Sequence, residues 1–443
     1  MKITKTVTSA PHKGGISYFY KNYLSKDGLS LEQIKETQGE IDFQEPPLKR
    51  ISHDNGKTYG EWVQCTHQDS ITFYGEDEYW KLPGKKIWNP VHNHYVSNGM
   101  MRYSIQGHVK AYDSYWGEGN GIKNGVPQGF FDHQHLAVIS EDDKVLSNEM
   151  IKYEEGKEFD PENTRDKDFL LKNIGYASGG EDCIVLNNGD ILVCVSAWLT
   201  TACDMLGLSK DEYANVKGEI HNDGRAIIVA KGKFNKENNK YDFTFSKPLL
   251  TKNTLTSRGF EEPMLIELKS GKILLVMRAS NMNYPCWNTN VKEGTPCYKW
   301  YSISDDGGKT FSEPKPWQFD DGSPVYSSAT YSRIIRASKN GKPYWIGNVT
   351  DDKSYGNFPR YPLNIVEIDE NTGLAKLDTL TVIDTRKEGE TERVQFSNFK
   401  IFEDRETLKI EICLSKVGQY NTGEDDVSKV FYGEGMLYEI EFD

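Results

Sequence analysis

One unit recurs along this chain and limits what it can become: an apolar strand, a short turn rich in Gly, Asp, Asn or Lys, and a second apolar strand. It stands at ISYFYKNYLSKDGLSL (16–31), LAVISEDDKVL (136–146), CIVLNNGDILVCVSA (183–197), MLIELKSGKILLVMR (264–278), YSRIIRASKNGKPYWIGNV (331–349) and FSNFKIFEDRETLKIEICLS (396–415). Each copy reads as an antiparallel hairpin, and the last three start about 67 residues apart. Six such units predict an all-β fold, a six-bladed β-propeller in which each hairpin is the inner half of a four-stranded blade.

Outer-strand candidates fill the gaps, among them RAIIVAKGKFNKENNKYDFTFS (225–246) and KWYSISDDGGKTFS (299–312). The alternating KITKTVT (2–8) is expected to pair with MLYEIEF (436–442), which removes two exposed sheet edges. Two segments interrupt the pattern and read as insertions in blades one and three. Residues 61–130 are rich in aromatics, His and Gly without clean periodicity. Residues 198–222 contain a short helix opening at Ser209, where Ser-Lys-Asp-Glu matches a capping box. Such insertions build either the rim of a binding mouth or extra surface strands. No linker or low-complexity stretch appears, so residues 1–443 read as a single domain.

Composition agrees and excludes. Tyr (25), Phe (19) and Trp (9) favour strands, and the 39 glycines supply turns. The net charge of −13 with no basic tract argues against nucleic acid or an anionic membrane as partner. No run approaches the roughly 20 apolar residues of a membrane span, and MKITKTVTSA has no apolar leader core. The chain is therefore expected to be soluble: cytoplasmic, or secreted or periplasmic if a leader has been removed. Seven cysteines without a CxxC pair indicate neither a disulfide framework nor a zinc knuckle, although Cys286 and Cys297 are spaced to close a loop.

The most specific local signal occurs twice. Ser52-His-Asp54-Asn-Gly56-Lys-Thr58-Tyr59 and Ser304-Asp-Asp306-Gly-Gly308-Lys-Thr310-Phe311 both fit S-x-D-x-G-x-T-aromatic. In a tight hairpin the Asp, Ser and Thr side chains bond turn amides, Gly permits a positive φ, and the aromatic tucks against the sheet. This pattern resembles the Asp box of the sialidase (neuraminidase) superfamily, the BNR-repeat proteins. In that family these boxes lie on outer turns, so they bear on fold and not on activity.

The resemblance extends to RGFEEPMLIELKSGKILLVMR (258–278). Sialidases carry Glu-Pro at the start of a blade and Arg at the end of the same hairpin, as Glu262-Pro263 and Arg278 do here. A planar guanidinium suits a substrate carboxylate, which it grips with two parallel hydrogen bonds. One blade later, GNFPRYPLNIVEID resembles the segment carrying another carboxylate-binding Arg, which points to Arg360 with Tyr361 beside it. The alternatives are a strand-end salt bridge between Arg278 and Glu262, and a rim arginine at 360 that binds nothing.

The departures from the family are as informative. The stretch HKGGISYFY lacks the N-terminal Arg, with His12 or Lys13 as the only stand-ins. The nucleophilic Tyr of the last blade matches Phe396, whose ring has no oxygen to form a covalent intermediate. The acid/base Asp of the first blade has no counterpart. Replacement candidates stand at inner-strand starts: Asp132, His133 and His135 in FDHQH, and Glu181 in GGED. Each has a plain alternative as a structural histidine or a solvated turn acid. Tyr326, Tyr331 and Tyr361 are further possible nucleophiles.

Together these residues imply a sialidase-like glycoside hydrolase acting on an acidic sugar, sialic acid or a related nonulosonic acid, at the end of a glycan. Arg278, Arg360, His135 and Tyr361 would bind the sugar, and Glu262, Asp132, His133 and Glu181 would carry the chemistry. Two histidines without a third ligand are a weak metal signal, so no metal or cofactor is expected. Two other readings stay open: a polysaccharide lyase on a uronate-containing glycan using His, Tyr and Arg, and a non-catalytic carbohydrate-binding propeller.

Overall fold

The computed structural model describes residues 1–11, 16–24, 28–40, 43–44, 48–64, 79–81, 85–89, 94–104, 121–123, 126–128, 130–139, 145–151, 183–214, 216–217, 220–221, 224–283, 290–421 and 432–443. The architecture is an all-β propeller of antiparallel sheets; the described residues also include the short α-helices Leu199–Leu206 and Lys210–Tyr213 and a 3-10 turn at Leu377–Thr379. Among the described residues no helix is long and apolar enough to cross a membrane.

The chain forms two compact units, each built from discontinuous segments: residues 1–66, 268–270 and 316–443 in the first, and residues 67–267 and 271–315 in the second. In the first unit, Lys2–Ser9 pairs with Gly435–Glu441 in register from Lys2↔Glu441 to Val7↔Met436, as the alternating termini predict. That sheet continues through Ile410–Ser415 to Lys400–Glu403. A second sheet is built on the hairpin of Ile16–Tyr23 and Leu31–Glu40, and a third on that of Arg333–Arg336 and Pro343–Asn348.

The second unit holds the other three hairpins, and one strand shows how it packs. Ile191–Trp198 is buried along its whole length. Successive side chains of a strand point to opposite faces. Ile191, Val193, Val195 and Ala197 accordingly join a core with Leu136, Ile151 and Ile228. Leu192 and Cys194 join another with Leu265, Leu275, Met277 and Trp300. A strand sandwiched in this way reads as a continuous apolar run, which is why ILVCVSAW shows no alternation.

All six repeat hairpins form as antiparallel pairs. Among the described residues the second and third hairpins are assigned to one sheet, although their strands pair in two separate runs. Counted so, the described residues form five sheets besides two small two-stranded ribbons, where six blades were expected, while the strand pairings themselves fall into six runs of four or five strands.

The segment 61–130 is also more than an insertion. His94–Ser104 pairs along the full length of Phe130–Ile139, and Tyr79–Lys81 and Lys85–Asn89 add to its other edge. HYVSNGMMRYS lacks alternation, so its strand character is invisible in the pattern. In segment 198–222 the helix Lys210–Tyr213 begins after Ser209 as expected, but Ser209 makes no side-chain cap. The single turn closes through the Glu212 N–H to Ser209 O at 3.2 Å, while the Glu212 carboxylate pairs with Lys252 at 3.1 Å.

Within each unit, hairpin turns are tied to a neighbouring sheet by carboxylates. The Asn187 N–H donates to Glu267 Oε2 at 2.7 Å in the second unit. In the first, Lys269 N–H donates to Glu370 Oε2 at 2.9 Å, and Ser338 donates to Glu403 through both its N–H (2.7 Å) and its hydroxyl (2.6 Å). A carboxylate acceptor strengthens such bonds over neutral ones. Replacing Glu403 by Ala should cost about 1–3 kcal/mol. That should lower the thermal midpoint by several degrees in calorimetry, whereas Glu403→Gln, which keeps one acceptor oxygen, should cost less.

Candidate functional site

The two S-x-D-x-G-x-T turns share four hydrogen bonds atom for atom. Ser52 Oγ donates to Asp54 Oδ1 (2.8 Å) and accepts the Gly56 N–H (2.8 Å), while Thr58 donates its N–H to Asp54 Oδ1 (2.8 Å) and its hydroxyl to Oδ2 (2.6 Å). Ser304, Asp306, Gly308 and Thr310 repeat the set at 2.8, 2.8, 2.9 and 2.6 Å. Gly308 has φ +87°, and a Cβ there would lie 2.7 Å from Leu192 Cδ2, so only glycine fits. The aromatic Phe311 packs on the core of the second unit. With their carboxylates committed to turn donors, these sequences brace the fold.

The polar cluster of the second unit is built by a bulge. In the hairpin of Phe260–Glu267 and Ile273–Ala279, Glu261 faces Arg278 and Met264 faces Val276. Three steps on one strand thus oppose two on the other, so one residue is extra. Glu262 takes up the excess at φ +45°, and Pro263, which has no N–H, follows it. In a regular strand Glu261 and Glu262 would face opposite sides. The bulge lets both reach Arg278: Nη1 donates to Glu262 Oε1 at 2.7 Å, and Nε lies 3.7 Å from Glu261 Oε2.

Glu261 is the more deeply set, 5% exposed, and it also accepts a short hydrogen bond from Arg258 Nη2. Burial pushes its carboxyl up, but Arg258, Arg278 and Arg225 outweigh that and hold it below the usual range. Arg225 arrives through a close backbone approach. The Arg225 N–H donates to Arg258 O at 2.8 Å, and a Cβ on Gly259 (φ +67°) would lie 2.1 Å from Arg225 O. Lys299, fully buried, stands opposite Arg278 on the next strand. The buried Cys297 thiol donates to Ala279 O at 3.3 Å and is a free cysteine, so it closes no loop.

The first unit carries Arg360, Tyr361 and Phe396. Arg360 Nε donates to Asn357 O (3.1 Å) and Nη1 to Gln395 Oε1 (2.8 Å); both acceptors are neutral. The Phe396 N–H donates to Arg360 O at 2.9 Å, which fixes the two segments side by side. Tyr361 is half-buried. Phe396 is fully buried, with Lys416 Nζ 5.4 Å from its ring centre. Lys416 is itself fully buried and bound to Glu390 Oε1 at 2.6 Å; Gln419 Nε2 donates to the same oxygen at 2.9 Å.

Of the sequence-predicted residues, Glu262 and Arg278 are thus brought together, and Arg360 and Tyr361 belong to the other unit. Asp132, His133 and His135 lie on Phe130–Ile139, in register with Arg102, Met101 and Gly99. Glu181, His12, Lys13 and Cys286 lie outside the described residues. Sequence reasoning missed Glu261, Arg258 and Arg225. The first two are visible in R-G-F-E-E-P, but regular strand alternation would put Glu261 and Glu262 on opposite faces.

No protein-family model matches the chain, and no curated protein is similar to it in sequence. Solved structures are. A protein of unknown function from Dyadobacter fermentans superposes with a TM-score of 0.55 at 11% identity, over 99% of both chains. The NanB sialidase from Streptococcus pneumoniae gives 0.52 at 11% identity, over 98% of this chain and 70% of that one. The Hadza microbial sialidase Hz136 gives 0.51 at 12%, over 97% and 66%.

The fold is sialidase-like. At these identities the likeness concerns the path of the sialidase-like chain and not its chemistry.

Two outcomes follow from the geometry. Asp54 is held down to about 2 by Thr58 and Ser52, and Asp306 lower still by Thr310 and Ser304. Folded values below the unfolded value of about 3.9 mean that their stabilisation is complete above that pH and is lost as pH falls through the folded values. Carboxyl NMR titration of Asp54 should therefore give a midpoint near 2, and Asp54→Asn should flatten the acid loss of stability between about pH 4 and pH 2. Phe396→Tyr should place a hydroxyl in a fully buried site and cost about 1–3 kcal/mol, read as a lower thermal midpoint.

Proposed function

We propose that this protein binds an acidic sugar, sialic acid or a related nonulosonic acid at the end of a glycan, and hydrolyses its glycosidic bond. The observation that carries this reading is the arginine–glutamate cluster of Arg278, Glu261 and Glu262 within a sialidase-like fold. Arg278 sits in a largely buried setting where a guanidinium binds a carboxylate more strongly than in water. Arg360, in the other unit, donates to Asn357 O and Gln395 Oε1 and is a separate candidate for a sugar's carboxylate.

Phe396 in place of a tyrosine favours direct attack by water. In that scheme Glu262 activates the water, and Asp132, Glu181 or a protonated His133 donates the proton to the leaving oxygen; for the two carboxylic acids the separation from Glu262 would be roughly 6.5–9.5 Å. His135 and Tyr361 are the remaining sugar-contacting candidates.

The same Phe396 favours a second reading, a carbohydrate-binding propeller without turnover. Incubation with a sialylated oligosaccharide separates the two. Release of free sialic acid is the expected result, and Arg278→Ala should reduce the rate about a hundredfold. Binding without release would establish the second reading. An Arg278→Ala protein that keeps full turnover and full affinity would exclude the carboxylate clamp.

A further inference from the structure

We propose that Glu261 is a positioning carboxylate, anchored by Arg258, that keeps the Arg278 guanidinium in place while the carboxylate of the sugar displaces Glu262 from it. This rests on the reading of Arg278 as the group that binds the substrate's acid.

The two glutamates are adjacent in sequence but unequal in structure. Glu261 stays in regular register with Arg278, whereas Glu262 is the extra residue of the bulge at φ +45°. Glu261 divides its oxygens between two arginines: Oε1 accepts from Arg258 Nη2, and Oε2 faces Arg278 Nε at 3.7 Å. The Glu261 side chain is 6% exposed against 12% for Glu262, so of the two acids it is the more deeply set. Glu262 instead holds Arg278 Nη1 at 2.7 Å, through one of the N–H groups with which a guanidinium grips an incoming carboxylate.

Exchange explains why both acids are present. A ligand carboxylate that takes the Glu262 position replaces one buried negative charge by another, so Arg278 never loses its counter-ion. Glu261 remains on the Nε side throughout and stops the guanidinium from following Glu262 as it leaves. The displaced Glu262 carboxylate then stands beside the bound sugar, where water activation requires it. Arg258, held by the backbone of Arg225 across Gly259, is the fixed end of the chain of contacts.

The test is titration calorimetry with two probes, N-acetylneuraminate and its methyl ester, on wild-type protein and three variants. Wild type should bind the acid and not the ester. Glu262→Gln should bind the acid about tenfold more tightly, because its competitor for Arg278 has lost its charge. Glu261→Gln should bind it about tenfold more weakly, and Arg258→Gln should do the same if the Glu261 variant does not fold. The opposite signs at neighbouring positions are the signature, since a merely structural role would weaken both. Weaker binding by Glu262→Gln, or unchanged binding by folded Glu261→Gln with an acid-selective wild type, would overturn the inference alone. A wild type that binds both probes equally, or neither, would remove the carboxylate clamp and this inference with it.

Discussion

A carboxylate buried among arginines has to be satisfied, and the candidate site depends on how Glu261 meets that demand. Taken out of water without partners, its charge would cost several kcal/mol. Arg258, Arg278 and Arg225 offset that cost strongly enough to keep the group ionised. Each arrives by a different backbone device. Arg278 is the register partner of Glu261, Arg258 lies three residues before it, and Arg225 is brought in where the chain at Gly259 has no side chain to keep it away. The bulge at Glu262 then adds a second acid to the same guanidinium. A one-residue irregularity in a strand thus turns a hairpin end into a charged site.

The scaffold around that site is held by two kinds of interaction within each unit. Apolar faces of neighbouring sheets pack against one another, with Ile191–Trp198 contributing alternate side chains to two cores. Turn amides meet carboxylates of the next sheet at Glu267, Glu370 and Glu403. The first supplies most of the stabilisation and has no direction; the second is directional and fixes which turn meets which strand. The two S-x-D-x-G-x-T turns serve the same end locally by satisfying their own donors.

In the first unit Phe396, which the sequence resemblance sets against a catalytic tyrosine, is enclosed beside the Lys416–Glu390 ion pair. A buried lysine bound to a glutamate, with a ring across it, is a structural arrangement: the charge is neutralised and the ring contributes a cation–π contact. This is the physical reason to seek the chemistry in acids and water instead of a covalent tyrosine.

The amino-acid sequence by itself determined the hairpins, their number, the pairing of the two termini and the meeting of Glu262 with Arg278, because strand periodicity and turn chemistry are local. It did not determine how the hairpins share sheets, and the second and third are assigned to one. Nor did it disclose His94–Ser104, whose residues do not alternate. Ser209 opens its helix as expected, yet it makes no side-chain cap, and the Glu212 carboxylate pairs with Lys252 instead. Only the tertiary structure decided that Glu261 shares the site, since a bulge overrides alternation and nothing in the spelling E-E-P says which acid turns. Local rules reach as far as one hairpin; the placement of charge depends on partners distant in sequence, and those are brought together only by the fold.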